Sequence, residues 1–225
     1  TLCRNCNSGE GIVVRVMEGR AKKVEGNPMF PINHGKHRPA CEAALQALYH
    51  PDRIGTPLQR SGPRGSGHFS PISWSAALDK LQQELKVRSN SMLMVTDPLR
   101  GHLGTVVSRF TQSLGGRYMS FDALDNATYR GAIKGIFGQD LMPDFDFANT
   151  RFLLSFGADF LSTWVSPTRW NIGYGELRSG EGKERGTFYH ADSRFSMTAA
   201  SADKWLPIEP GYEGHLAMSV AYVII

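Results

Sequence analysis

The stretch RFLLSFGAD, residues 151–159, constrains this chain more than any other. An apolar run this short and unbroken is what a strand buried on both faces shows, and such strands sit in parallel sheets covered by helices. The flanking pattern agrees with that reading. Ser73 can cap a helix carrying Leu78, Leu81 and Leu85 on one face, and the apolar run Met92 to Val95 follows it. A helix-like stretch over 103–114, a strand at 118–121 and a helix over 127–137 come next. A strand at 186–190 and a terminal helix patterned by Leu216, Val220, Val223 and Ile224 complete the series. Helices alternating with short apolar strands predict an α/β fold with a mostly parallel sheet and flanking helices.

The first 56 residues have a different texture. Ile12 to Val16 and Ala21 to Glu25 read as the arms of a hairpin turning at Glu18-Gly19, and Asn27-Pro28 and Pro31 end it. A short helix over 43–49 stops before Pro51. TPLQRSGPRGSGHFSP, residues 56–71, is rich in Gly, Pro and Ser and reads as a loop or boundary. The expected division is a small β-rich subdomain over 1–56, a linker over 57–72 and an α/β domain over 73–225. Because the apolar pattern runs into the final AYVII and the chain starts at Thr1 without Met, it is expected to be the N-terminal part of a longer protein.

Composition removes two function classes. No apolar run reaches the roughly 18 residues a membrane-spanning helix needs. The net charge of +4 comes from 25 basic and 21 acidic residues scattered along the chain rather than gathered in the stripe that nucleic acid selects.

Cys3, Cys6 and Cys41 are the cysteines of the sequence. A C-x2-C pair puts two thiolates around one tight turn, which suits tetrahedral zinc or one edge of an iron–sulfur cluster. Cys41 with His34 or His37 would complete a zinc site. A Cys3–Cys6 disulfide and plain unligated thiols are the other readings. Three further stretches fall where carboxyl ends of parallel strands bind ligands: Gly157-Ala158-Asp159, Asp192-Ser193-Arg194 and Pro210-Gly211-Tyr212-Glu213. Their glycines let backbone approach a phosphate and their carboxylates can accept from a ribose hydroxyl or a guanine edge. Taken singly, each also reads as an ordinary strand-to-helix turn with capping residues.

Together these pieces resemble the molybdopterin oxidoreductases of the dimethyl-sulfoxide-reductase type. The resemblance lies in the order C-x2-C, VEGNP, INHGK, LYHPDRIGTPLQRSGPRGSGHFSPISWSAAL, LLSFGADFLSTW and HADSRFSMTAASADKWLPIEPG, and it covers nearly the whole chain. It implies an opening set of four cysteines, spaced roughly C-x2-C-x3-C-x27-C, around a four-iron, four-sulfur cluster. Cys3 and Cys6 match the first two positions, but the third falls on Glu10 and the fourth on Arg38, with Cys41 three residues further on. A guanidinium cannot ligate iron, so the resemblance implies a degenerate cluster site. It also implies that a molybdenum ligand would come from FDALDNATYRGAIKGIFGQD, where Asp122 or Asp125 lies near the expected place, though both aspartates read more readily as helix caps. Gly157, Asp159, Asp192, Arg194 and Gly211 match positions that hold a pterin dinucleotide, and here they are expected to be vestigial.

SFGADFLSTWVSP and GELRSG resemble the large iron–sulfur subunit of alternative complex III, a bacterial quinol:electron-acceptor oxidoreductase, and its polysulfide-reductase-like relatives. That branch implies a molybdopterin-type domain without molybdopterin, itself non-catalytic, with iron–sulfur clusters in a C-terminal continuation. The implied partners are a multihaem cytochrome c, a ferredoxin-like iron–sulfur domain and a quinol-oxidising membrane subunit of a respiratory or photosynthetic chain. Export by a twin-arginine signal to the periplasmic face of the inner membrane is implied as well. The alternative is an active enzyme of the polysulfide-reductase type carrying molybdenum on bis-molybdopterin guanine dinucleotide.

Overall fold

The computed structural model of the chain describes residues 1–5, 8–88, 91–99, 101–121, 126–180 and 182–225; Cys6, Asp122 and Asp125 lie outside them. The elements in order are β1 (Ile12–Met17), β2 (Arg20–Gly26), α1 (Pro39–Glu42), α2 (Ala44–Leu48), β3 (Leu58–Arg60), β4 (Phe69–Pro71), α3 (Trp74–Arg88), β5 (Leu93–Thr96), α4 (Gly101–Ser113) and β6 (Arg117–Ser120). After them come α5 (Ala127–Phe137), β7 (Phe152–Phe156), α6 (Pro167–Arg178), β8 (Thr187–Asp192), α7 (Met197–Ala200), β9 (Lys204–Pro207) and α8 (Glu213–Ile224). This is an α/β chain whose longer-range sheets are parallel. Two compact units share it. One joins Thr1–Leu45 to Asn126–Ile225, and the other is Gln46–Asp125.

In the first unit the N-terminal hairpin forms as its alternation predicts. Val14 faces Val24 and Ile12 faces Gly26 in an antiparallel pair, with an irregularity between Arg15 and Val16. Glu18 and Gly19 both turn at positive φ, a conformation natural to glycine and costly to Glu18. Ile12 and Val24 bury one face of the hairpin against Cys3 and Cys41, with Val14 and Leu45 packed on the edge. Beyond the hairpin, the buried Asn33 side chain clamps Gly11 by donating to its carbonyl and accepting from its N–H, both at 2.9 Å.

The same unit contains the three-stranded parallel sheet, in the order β7-β8-β9. β8 is central, and Phe188, His190 and Ala191 on it are fully covered. RFLLSF does form a strand, but as β7 it is an edge strand with Phe152 55% exposed, so it is not buried on both faces. Phe147, Phe160, Leu161, Trp170, Leu177 and Phe188 make the second core. Covering a side chain such as Phe188 completely contributes about 2 kcal/mol. Helix α6 approaches this core closely, because a Cβ on Gly173 would lie 2.4 Å from the Phe147 ring. Asp203 ties the layers together: it accepts from the Phe188 N–H at 2.8 Å, from Arg185 at 3.2 Å and from both ends of the Arg178 guanidinium. Those guanidinium bonds first, with the Phe188 N–H behind them, hold the Asp203 carboxyl well below the usual carboxylate range.

In the second unit the Gly/Pro-rich stretch 56–71 is more than a loop, since β3 and β4 pair within it as a short antiparallel hairpin. Ser73 caps α3 as expected, accepting from the Ala76 N–H at 3.2 Å. Leu78 and Leu81 nevertheless remain more than half exposed. Strands β5 and β6 pair in parallel around the crossover helix α4. In α8, which belongs to the first unit, the expected helix forms, but Val223 and Ile224 are exposed rather than buried. Among the described residues no helix is long and apolar enough to cross a membrane.

Candidate functional site

Two polar clusters in the first unit carry the residues that the sequence singles out. The first surrounds Glu10, which is fully buried. The Cys3 N–H donates to the Glu10 carbonyl at 2.9 Å, which ties the two residues together. Three donors converge on the carboxylate. The Cys41 thiol donates to Oε2 at 2.9 Å, the Arg38 backbone N–H donates to the same oxygen at 3.1 Å, and the Thr168 hydroxyl donates to Oε1 at 2.5 Å. Thr168 lies in the first turn of α6, where the unpaired amide dipoles favour negative charge. The Arg38 guanidinium turns aside to Ser8 Oγ at 3.4 Å, and Ser8 in turn reaches the Val165 carbonyl at 3.5 Å. Val165, just before α6, has a φ of 54°, an outlier for a β-branched residue.

Cys3 and Cys41 are buried free thiols. Burial pushes the Cys41 thiol far up, and its hydrogen bonds to the Glu10 carboxylate and the Cys3 thiol push it the same way. A thiol must lose its proton to bind metal, and here that proton belongs to a carboxylate hydrogen bond. These residues do not fit a four-iron cluster: a carboxylate held by three donors stands at the third ligand position and an arginine at the fourth. The zinc alternative lacks a histidine. His37 accepts from the Gly26 N–H through Nδ1 at 3.1 Å and pairs with Glu42 through Nε2 at 2.9 Å, while His34 is exposed. Among the described residues no group of three or more His, Cys, Asp or Glu is placed to hold a metal ion.

The second cluster lies at the carboxyl ends of β7 and β8. Asp159 is buried and accepts from Thr198 Oγ1 at 2.6 Å through Oδ1, and from Arg194 at 3.1 Å through Oδ2. Asp192 accepts from the Arg194 backbone N–H at 3.0 Å through Oδ1, and its Oδ2 meets His190 Nε2 at 3.2 Å. The Arg194 side chain itself is 69% exposed and open to an anion. Gly157 and Gly211 take φ of 62° and 88°, as close backbone turns at strand ends require. Glu213 packs beside Gly157, with its Cγ 3.6 Å from where a Cβ would stand. The set fits the nucleoside end of a dinucleotide, with carboxylates for hydroxyl or guanine donors and a guanidinium for phosphate. Beneath it, Ser155 and His190 are directly paired across β7 and β8, and both Ser155 Oγ and His190 Nδ1 are buried without a partner among the described residues.

The structure thus brings Cys3, Glu10, Arg38 and Cys41 together in one cluster and Gly157, Asp159, Asp192 and Arg194 in another, while Gly211 turns two residues before Glu213, the residue that packs beside Gly157. Thr168, Thr198 and His190 are participants the sequence reading did not find. For Thr168 a signal was present, because Ser166-Pro167-Thr168 is a helix-start pattern with Pro at the first helical position.

Comparison with known proteins places these clusters in context. The Molybdopterin oxidoreductase Fe4S4 domain matches residues 1–37, a span that includes Cys3 and Glu10 and stops one residue before Arg38. The chain is 29% identical over its whole length to the arsenate respiratory reductase molybdopterin-containing subunit ArrA of Shewanella sp. (strain ANA-3). It is 29% identical, again over its whole length, to the menaquinone reductase molybdopterin-binding-like subunit of Nitratidesulfovibrio vulgaris. It is 31% identical over 98% of its length to the probable dimethyl sulfoxide reductase chain YnfF of Escherichia coli. The chain spans 27%, 32% and 29% of these three relatives.

Proposed function

Because this chain belongs to the molybdopterin oxidoreductase superfamily, we propose that it serves respiratory electron transfer as a cofactor-free, catalytically silent scaffold rather than as a reductase. In this reading it is the molybdopterin-type region of the iron–sulfur subunit of a membrane-bound quinol:electron-acceptor oxidoreductase, of the alternative complex III kind. Its fold then supplies interface area to a multihaem cytochrome c, a ferredoxin-like domain and a quinol-oxidising membrane subunit on the periplasmic face, and the electrons pass through clusters elsewhere.

One observation carries the reading. Glu10 stands where a cluster ligand is expected, and its carboxylate is engaged by Cys41, Arg38 and Thr168. Without a cluster at this end, an electron entering or leaving a pterin-bound metal has no near relay. The similarity to a subunit described as molybdopterin-binding-like, from a menaquinone reductase, supports a quinone-linked setting.

A second reading is supported by the other cluster. Asp159, Asp192 and Arg194 have a geometry suited to a dinucleotide, and the arsenate respiratory reductase subunit among the relatives is described as molybdopterin-containing. When bound, a bis-molybdopterin guanine dinucleotide supplies the metal centre for a two-electron reaction. The chain's own part would be to hold the nucleoside with Asp192 and Asp159 and to meet phosphate with Arg194. Metal analysis of the intact protein purified from its membranes separates the two. The scaffold reading expects no molybdenum or tungsten, together with co-purifying haem c. Stoichiometric molybdenum or tungsten overturns it in favour of the enzyme.

A further inference from the structure

The environment of Glu10 has a property independent of which side chain fills it. A thiol, a hydroxyl and a backbone amide, from α1, from the first turn of α6 and from the residue before α1, point at one buried volume. Cys41 is fully covered and Thr168 nearly so. Converging donors shielded from water stabilise negative charge strongly, because the low local dielectric strengthens each bond and the donors need no reorganisation. The nearby start of a twelve-residue helix adds to this. The volume therefore selects an anion, in the region where the family match calls for a thiolate-bound cluster that these residues do not fit.

We propose that this is a buried anion site whose ligand is the protein's own Glu10 carboxylate, and that it accepts a small free carboxylate, formate or acetate, once the Glu10 side chain is removed. The inference rests on the cluster-free reading above. The tethered carboxylate joins the N-terminal hairpin to α6, the mechanical task that a ligated cluster would otherwise perform. Glu10→Ala leaves Cys41, Arg38 N–H and Thr168 facing a hole of carboxylate size. Glu10→Gln keeps the shape but turns an amide donor toward groups that are themselves donors.

The test uses the intact protein and follows thermal melting and hydrogen exchange across residues 8–16 and 36–45, in sodium formate and in sodium chloride at equal ionic strength. Glu10→Ala is expected to melt roughly 5–10 °C below the parent and to lose protection in both segments. Formate should restore at least half of each loss with a saturating dependence, while chloride restores neither and the parent protein responds to neither salt. Formate acting no better than chloride on folded Glu10→Ala overturns the proposal. Should that variant fail to fold, Glu10→Gln decides: unchanged protection at 36–45 means that no anion is required there and overturns it equally. Iron lost on replacing Cys3 and Cys6 would instead sink the cluster-free reading, so the two failures are distinguishable.

Discussion

The two polar clusters have diverged in opposite ways. Around Glu10 the space is closed by a fully buried carboxylate with three donors. At the ends of β7 and β8 the residues suited to a nucleotide are in place, and Arg194 remains open to solvent. The first cluster is closed by buried hydrogen bonds, while the second leaves a charged side chain facing solvent. The difference teaches that a buried polar site and an exposed one obey different constraints when their residues change. A buried hole must be filled or it destabilises its surroundings. A side chain facing water, as Arg194 does, carries no such constraint.

Substitutions can break or sharpen this contrast. The largest effect is expected for Glu10→Gln, about 3 kcal/mol of destabilisation by denaturant unfolding, because three buried donors lose their charged acceptor. Next comes Asp203, which belongs to neither cluster and gauges what an ordinary structural carboxylate contributes. Its folded-state pKa is depressed by the Arg178 guanidinium, so its contribution is complete above the unfolded value of about 4 and is lost as pH falls below that. Asp203→Asn should cost about 2 kcal/mol at neutral pH and flatten that acid-side slope. Asp159→Asn should cost only about 1 kcal/mol, since an amide oxygen still accepts from Thr198. A loss equal to that of Glu10→Gln would erase the distinction between the clusters. Arg194→Ala should change stability least, by less than about 0.5 kcal/mol, because the guanidinium is mostly exposed.

Local order was legible wherever the signal was local. The hairpin, the cap at Ser73 and helix α5 over Ala127–Phe137 follow from alternation, capping and period. The hairpin β3–β4 was hidden because Gly and Pro dominate the connection between two three-residue strands. α6 was missed because its apolar residues, Trp170 and Leu177, serve a core built with aromatic residues from elsewhere and leave no clean stripe. Burial was read less well than form: Phe152 at the start of β7 and the end of α8 are apolar in sequence and exposed in the fold. At the first cluster, counting residues found Glu10 and Arg38 but could not find Thr168, which is 158 positions from its partner. His190 was unremarkable in sequence because its importance depends on pairing with Ser155 across two strands.

The central claim is that Cys3 and Cys6 no longer hold a cluster, and one measurement tests it most directly. Iron and acid-labile sulfide are counted per chain in the intact protein and in the Cys3→Ser/Cys6→Ser variant. Any clusters elsewhere contribute equally to both, so the difference reports on this site alone. The account predicts identical counts. A variant lacking about four iron and four sulfide per chain would contradict it and return a cluster to the N-terminal unit.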